Sequence, residues 1–269
     1  MSELWNDLLS CLELRLVADP AVGDEVFEGD NQHLEYHRLF GGQLLGQIAR
    51  ASALACPGKH LKSMHVLFPR EGRTDEPVLY EVTRHHEGRS FASLTVAARQ
   101  SSGPIATAVV SLHTPEEGAT RQSLPGPDPL LDERHRTHFD LIPWETRSTT
   151  DLDTTGTAAP ELDLWMRTPD VDPALAPALL AYATDLNLIG TALLPVDGLC
   201  QRGNGTEFTS AVTSHNLWFH QPFRTDDWLL LRQHSPLTAQ GRCFGRGDVL
   251  TASGDLVASF AQEALLRLP

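Results

Sequence analysis

The apolar positions of this chain follow two periods. Near the N-terminus Leu4, Leu8, Leu9 and Leu12 recur at helical spacing and predict a short amphipathic helix. The run "GGQLLGQIARASALA" from Gly41 puts Leu45, Ile48, Ala49 and Ser52 on one helical face, flanked by Leu44 and Ala51. The period then shortens. "LKSMHVLF", "PVLYEVTRHH", "SFASLTVAARQ" and "PIATAVVSLH" are brief runs with β-branched residues, bounded by "REGRTDEP", "HEGR" and "QSSGP", and they predict strands. Further on, "PALAPALLAYATDL" predicts a helix, and "FTSAVTSHNLWFH", "WLLLRQHSP", "GRCFGRGDVLTA" and "DLVASFAQEALLRL" predict strands. Strands in series joined by tight turns form an antiparallel sheet, and a single apolar helix must bury its face on that sheet.

The two groups of elements repeat one another. "SMHVLF" is answered by "TSHNLWF", with His65 and His215 at an offset of 150; "GRSF" is answered by "GRCF" at 153; "SSGPIATAVVSL" is answered by "ASGDLVASFAQEAL", with Gly103 and Gly254 at 151. Three matches in one order at nearly constant offset point to a duplication. Between the halves, "TPEEGATRQSLPGPDPLLDERHR" and "RSTTDLDTTGTAAP" lose the periodicity and are rich in Pro, Gly and Thr. The reading is therefore an N-terminal domain over 1–113, a linker over 114–160 and a C-terminal domain over 161–269.

Composition narrows the partners. A chain of 269 residues with 41% hydrophobic and 21% charged residues has the make-up of a globular protein. Its formal net charge of −14 argues against a nucleic-acid partner, which needs a basic face. Cys11, Cys56, Cys200 and Cys243 are scattered and predict free thiols in a reducing compartment. No apolar run approaches the roughly 20 residues of a membrane span. Glu3 and Asp7 stand where a signal peptide would be basic, and "LLRLP" is not a peroxisomal address, so a cytoplasmic location is expected.

The order of pieces resembles the acyl-CoA thioesterase II family. The resemblance runs from about Phe27 to Arg267 outside the linker, and its specific segments are "FGGQLLGQ", "YATDLNLIG", "SHNLWFHQPF" and "LVASFAQEALLR". It implies an α+β fold of two tandem hotdog domains, each a helix wrapped by an antiparallel sheet: a double hotdog. It also implies hydrolysis of acyl-CoA to free acid and CoA, a homo-oligomer and no cofactor. The family's water is held by an aspartate, a glutamine and a Ser or Thr, which map here to Asp185, Gln262 and position 212. Val212 departs from that pattern, and Thr213 or Ser214 beside it is expected to supply the hydroxyl. On a regular strand Ser214 shares a face with Val212, whereas Thr213 needs a bulge to do so. In the first half, Pro69 precedes Arg70 where the family has Arg-Pro, and the arginine after "SF" is replaced by "ASLTV".

The candidate residues also have readings of their own. Gly41 and Gly42 lack Cβ atoms at a helix start, so backbone N–H groups near Gly42 and Gln43 can meet a developing oxyanion; equally, the glycines can serve tight packing. Asp185 ends an apolar helical run, and Gln262 sits in an apolar strand where its amide needs partners. His65 is assigned to the substrate-binding set. His65 and His215 are expected to be hydrogen-bonded, and no spacing among the twelve histidines suggests a metal site. Arg70, Arg73, Arg84, Arg224 and Arg246 are candidates for the CoA phosphates. A hotdog hydratase would carry Asp and His about one helical turn apart on the hotdog helix, a pair absent from "FGGQLLGQIARASA" and "TDLNLIGTAL". A non-catalytic acyl-thioester binder is the other alternative, kept open by Val212.

Overall fold

A computed structural model describes residues 3–18, 25–36 and 38–269. The chain divides into two compact units that do not follow the linker. The first takes the residues up to Arg121 together with Ala174–Ala183 and Asn216–Phe219; the second takes Gln122–Pro173, Thr184–His215 and His220–Pro269.

The first unit holds helices α1 (Glu3–Cys11) and α2 (Gly41–Ala55) and strands β1 (Arg15–Ala18), β2 (Glu25–Gly29), β3 (His60–Leu67), β4 (Val78–Glu87), β5 (Phe91–Gln100) and β6 (Gly103–His113). Its strand order is β1-β2-β4-β5-β6-β3, and its ladders are antiparallel. Helix α2 buries Leu44, Leu45, Ile48 and Ala49, and Leu94, Val96, Ala108 and Val110 of the sheet are buried with them. In α1 the buried stripe is Trp5 and Leu8, continued by Leu12 beyond the helix end.

Packing accounts for Gly42 and Gly46 of α2. Helix α3 (Ala176–Thr184) contributes all but its last residue to this unit. A Cβ on Gly42 would lie 2.5 Å from the Tyr182 carbonyl oxygen and against the Phe40 ring. On Gly46 it would lie 3.2 Å from the Ala178 carbonyl oxygen. Glycines one turn apart thus form a trough for the α3 backbone. Gln43 is structural as well. Its Oε1 accepts from the Gln32 N–H at 2.9 Å, and its Nε2 donates to Asn31 Oδ1 at 3.0 Å and Gln47 Oε1 at 3.1 Å. Gln47 continues the chain to the Cys11 and Asp30 carbonyls, and Tyr80 donates to it from β4.

The second unit contains β7 (Arg136–Thr137), β8 (Glu145–Arg147), β9 (Glu161–Arg167), α4 (Leu188–Leu193), β11 (Leu229–Ala239), β12 (Arg242–Thr251) and β13 (Leu256–Arg267). It also contains β10 (Thr209–Phe219) as far as His215. The strand order is β10-β13-β12-β11-β9-β8-β7, with antiparallel ladders through β13, β12, β11, β9, β8 and β7. Helix α4 lies on β11 and β12.

The expected hotdog arrangement, an apolar helix against an antiparallel sheet, describes both units, with two differences from the sequence reading. Most of the helix expected for the second half belongs to the first unit, because the trough on α2 receives it. Residues 122–160 are also part of the second unit rather than a free linker. Gln122 donates to the Gly254 carbonyl and accepts from the Leu256 N–H, and Leu124 and Leu131 pack on Trp165, Leu230 and Leu250.

Candidate active site

In the second unit, three consecutive strands and one short turn bring the polar residues together. Strand β13 runs between β10 and β12. At the end of α3, Thr184 Oγ1 lies 3.0 Å from Nε2 of His215 on β10. Four residues later Leu188 rests on β12, where a Cβ on Gly245 would lie 2.5 Å from its Cδ2. The backbone from Asp185 to Asn187 therefore crosses the strand in between, and the residue paired with Gly245 on that strand is Gln262. Asp185 and Gln262 are 5% and 2% exposed.

His215 links the two sides of this cluster. It is fully buried, its ring stacks on Phe260 at 6.1 Å, and its Nδ1 lies 2.9 Å from Gln262 Oε1. Burial pulls its pKa down to about 4 against the opposing pull of the Gln262 hydrogen bond, so the imidazole is neutral near pH 7. A neutral ring has one N–H. The Gln262 carbonyl oxygen can only accept, so Nδ1 carries the hydrogen and Nε2 accepts from the Thr184 hydroxyl. Gln262 Nε2 is left buried with no hydrogen-bond partner. Asn187 is also buried, caps α4 without using its side chain, and leaves both amide atoms without partners.

Of the residues expected from sequence, Asp185 and Gln262 are both buried, Asp185 in the turn that crosses β13 and Gln262 on that strand. Thr213, half-buried on β10, is engaged elsewhere, its hydroxyl donating to the Glu263 carbonyl at 3.0 Å. Ser214 is half-buried beside the fully buried His215. The hydroxyl found in the cluster is Thr184, which sequence reasoning passed over; its signal is a Thr beside an Asp at the end of an apolar helix.

In the first unit the Gln43 N–H already donates to the Phe40 carbonyl at 3.1 Å, which removes it from the expected oxyanion donors. His65 is exposed on β3, 3.1 Å from Asn216 Oδ1 and edge-on to Trp218, beside an outward groove of about 540 Å³. It therefore does not play the part of the buried His215, despite their matching places in the repeat. Four of the five candidate arginines have partners: Arg70 the Ser102 carbonyl, Arg73 Asp75, Arg84 Glu25 and the Ala55 carbonyl, and Arg224 Asp226. Arg246 is exposed and forms no ion pair among the described residues. Among those residues no group of His, Cys, Asp and Glu is arranged to hold a metal ion, and no helix is long and apolar enough to cross a membrane.

Comparison with known proteins places this geometry. Residues 33–113 match the family model of the acyl-CoA thioesterase N-terminal domain, and residues 115–266 match that of the C-terminal domain. The chain is 30% identical to acyl-CoA thioesterase 2 of Haemophilus influenzae, with 99% of each chain covered. It is 28% identical to human acyl-coenzyme A thioesterase 8, covering 98% of this chain and 91% of that one. Among solved structures, the acyl-CoA thioesterase II TesB2 of Mycobacterium marinum is similar at a TM-score of 0.79 and 28% identity, covering 97% of this chain and 98% of that one. A dehydratase domain of the curacin polyketide synthase, at 13% identity and a TM-score of 0.58, shares the fold alone.

Proposed function

The chain belongs to the acyl-CoA thioesterase II family and hydrolyses acyl-CoA thioesters to free acid and CoA, and we propose that it does so in the second unit with a water activated by Asp185. The water oxygen attacks the thioester carbonyl carbon while the Asp185 carboxylate accepts its proton. The tetrahedral intermediate then collapses, the C–S bond breaks, and the departing CoA thiolate recovers the proton from Asp185. The observation that supports this reading is the turn that carries the buried Asp185 across the strand of Gln262, whose buried amide has an unpartnered Nε2. Gly42 serves the packing of α3 and Gln43 acts structurally; Gly41 and His65 are given no part. The reading needs no cofactor.

A thiol-release assay over a panel of acyl-CoAs tests it. Wild type should release CoA, and Asp185→Asn should lose kcat with little change in KM, since the lost contact matters most in the transition state. A wild type no faster than Asp185→Asn would instead favour the binder reading. The natural chain length is the length at which kcat/KM peaks. We also propose that the protein acts in the cytoplasm, consistent with its four free cysteines, and that chains pair in solution, which light scattering on the eluting protein checks.

A further inference from the structure

The direction of the hydrogen bonds around His215 decides which end of Gln262 can face the substrate, and this inference rests on the thioester reading above. The Gln262 carbonyl oxygen is occupied by His215 Nδ1 at 2.9 Å, and His215 Nε2 is occupied by the Thr184 hydroxyl at 3.0 Å. All three side chains are buried, and the unpartnered atom at the end of the series is Gln262 Nε2. An amide presenting only N–H cannot accept a proton from water. If it donated to the water oxygen, it would hold the electron pair that must attack. The thioester carbonyl has the opposite need: its π pair moves onto oxygen during the attack, and a fixed donor there stabilises the charge.

We propose that Gln262 is the oxyanion donor of this site, and that Thr184 and His215 form a positioning relay that keeps its amide turned with Nε2 toward the thioester carbonyl. Asp185 then acts alone as the proton acceptor, and the hydroxyl missing at Val212 is not required for either task. Gln262 touches the reacting atoms; His215 and Thr184 act through it.

Two substitutions separate donor from acceptor. Assayed at a pH where the new carboxylate is ionised, Gln262→Glu offers acceptors only, so it should lower kcat about a hundred- to a thousandfold if Nε2 serves the oxyanion. Near-wild-type turnover in that variant would mean that position 262 accepts from water, and would overturn the proposal. His215→Leu should lower kcat similarly with KM little changed, and His215→Asn, whose amide nitrogen stands near the place of Nδ1, should recover most of the loss. Thr184→Val should fall between wild type and His215→Leu.

A readout independent of turnover uses two non-hydrolysable analogues: a ketone, in which methylene replaces sulfur, and a thioether lacking the carbonyl. Wild type should lower the infrared stretching frequency of the bound ketone and bind it about tenfold more tightly than the thioether, as one good hydrogen bond allows. Both effects should disappear in Gln262→Glu and His215→Leu. If the frequency shift survives in His215→Leu, the relay is refuted. If His215→Leu does not fold, Thr184→Val and Gln262→Glu carry the test. If wild type releases no thiol yet shows the carbonyl shift, the hydrolase reading fails while the assignment of Gln262 Nε2 as the donor to the bound carbonyl stands.

Discussion

Asp185 and Gln262 belong to one reaction step, so their losses should not add. Each single alanine substitution is expected to lower kcat by at least about a hundredfold, and the double variant should be little worse than the poorer single one, as single-turnover rates will show. His215 ties pH to stability. Its folded pKa, about 4, lies below the ordinary 6.5. Between those values the unfolded chain binds a proton that the folded protein refuses. Stability from this group is therefore fully present above pH 6.5 and is lost as the pH falls toward 4, by up to about 1.4 kcal/mol per pH unit. His215→Asn should flatten that part of a urea-melting profile. Asn187 presents a different case: both of its amide atoms are buried without partners. Asn187→Leu, close in shape, should melt at or above the wild-type temperature, because an unsatisfied buried amide is removed.

At the level of elements, α2 and α3 meet through backbone at Gly42 and Gly46, and the two glycines should differ in tolerance. Gly42→Ala places a methyl group against the fixed Tyr182 carbonyl and should cost about 1–3 kcal/mol in chemical denaturation. Gly46→Ala should cost less, since its neighbours stand 3.1–3.2 Å away and alanine favours the helix by about 1 kcal/mol. The periodicity of "GGQLLGQIARASALA" showed the helix and its apolar face, and the β-branched runs showed the eight long strands. The helix that would fill the glycine trough was not legible, because a trough names no partner until the chain is folded. The site divided along the same line. Asp185 and Gln262 were recognisable as polar residues in apolar surroundings. The contacts of His215 with Thr184 and Gln262 were not, since they join a helix end to two strands that only folding brings together.

For the whole molecule, membership of the two units changes at 121/122, 173/174, 183/184, 215/216 and 219/220. A fragment of residues 1–113 carries α2 but lacks α3, leaving Gly42, Gly46 and Phe40 without their covering backbone. It should express as aggregate or as a loosely packed species with weak near-ultraviolet circular dichroism, whereas the full chain gives a sharp melt. Native ellipticity in the fragment would show that α3 is dispensable to the first unit. Residues 122–131, held by Gln122 to the β12–β13 turn, should resist proteolysis in the full chain and become cleavable in Gln122→Ala.

The seating of α3 in the α2 trough also bears on descent. Two related genes that exchange halves at the boundary between the repeats would join one parent's α2 to the other's α3, and the offspring would inherit a glycine trough cut for a different backbone. Most such hybrids should be lost at folding, before any difference in activity is exposed to selection. If the halves arose by duplication, the trough would then hold them to a common lineage, free to vary in their pockets but not to change partners.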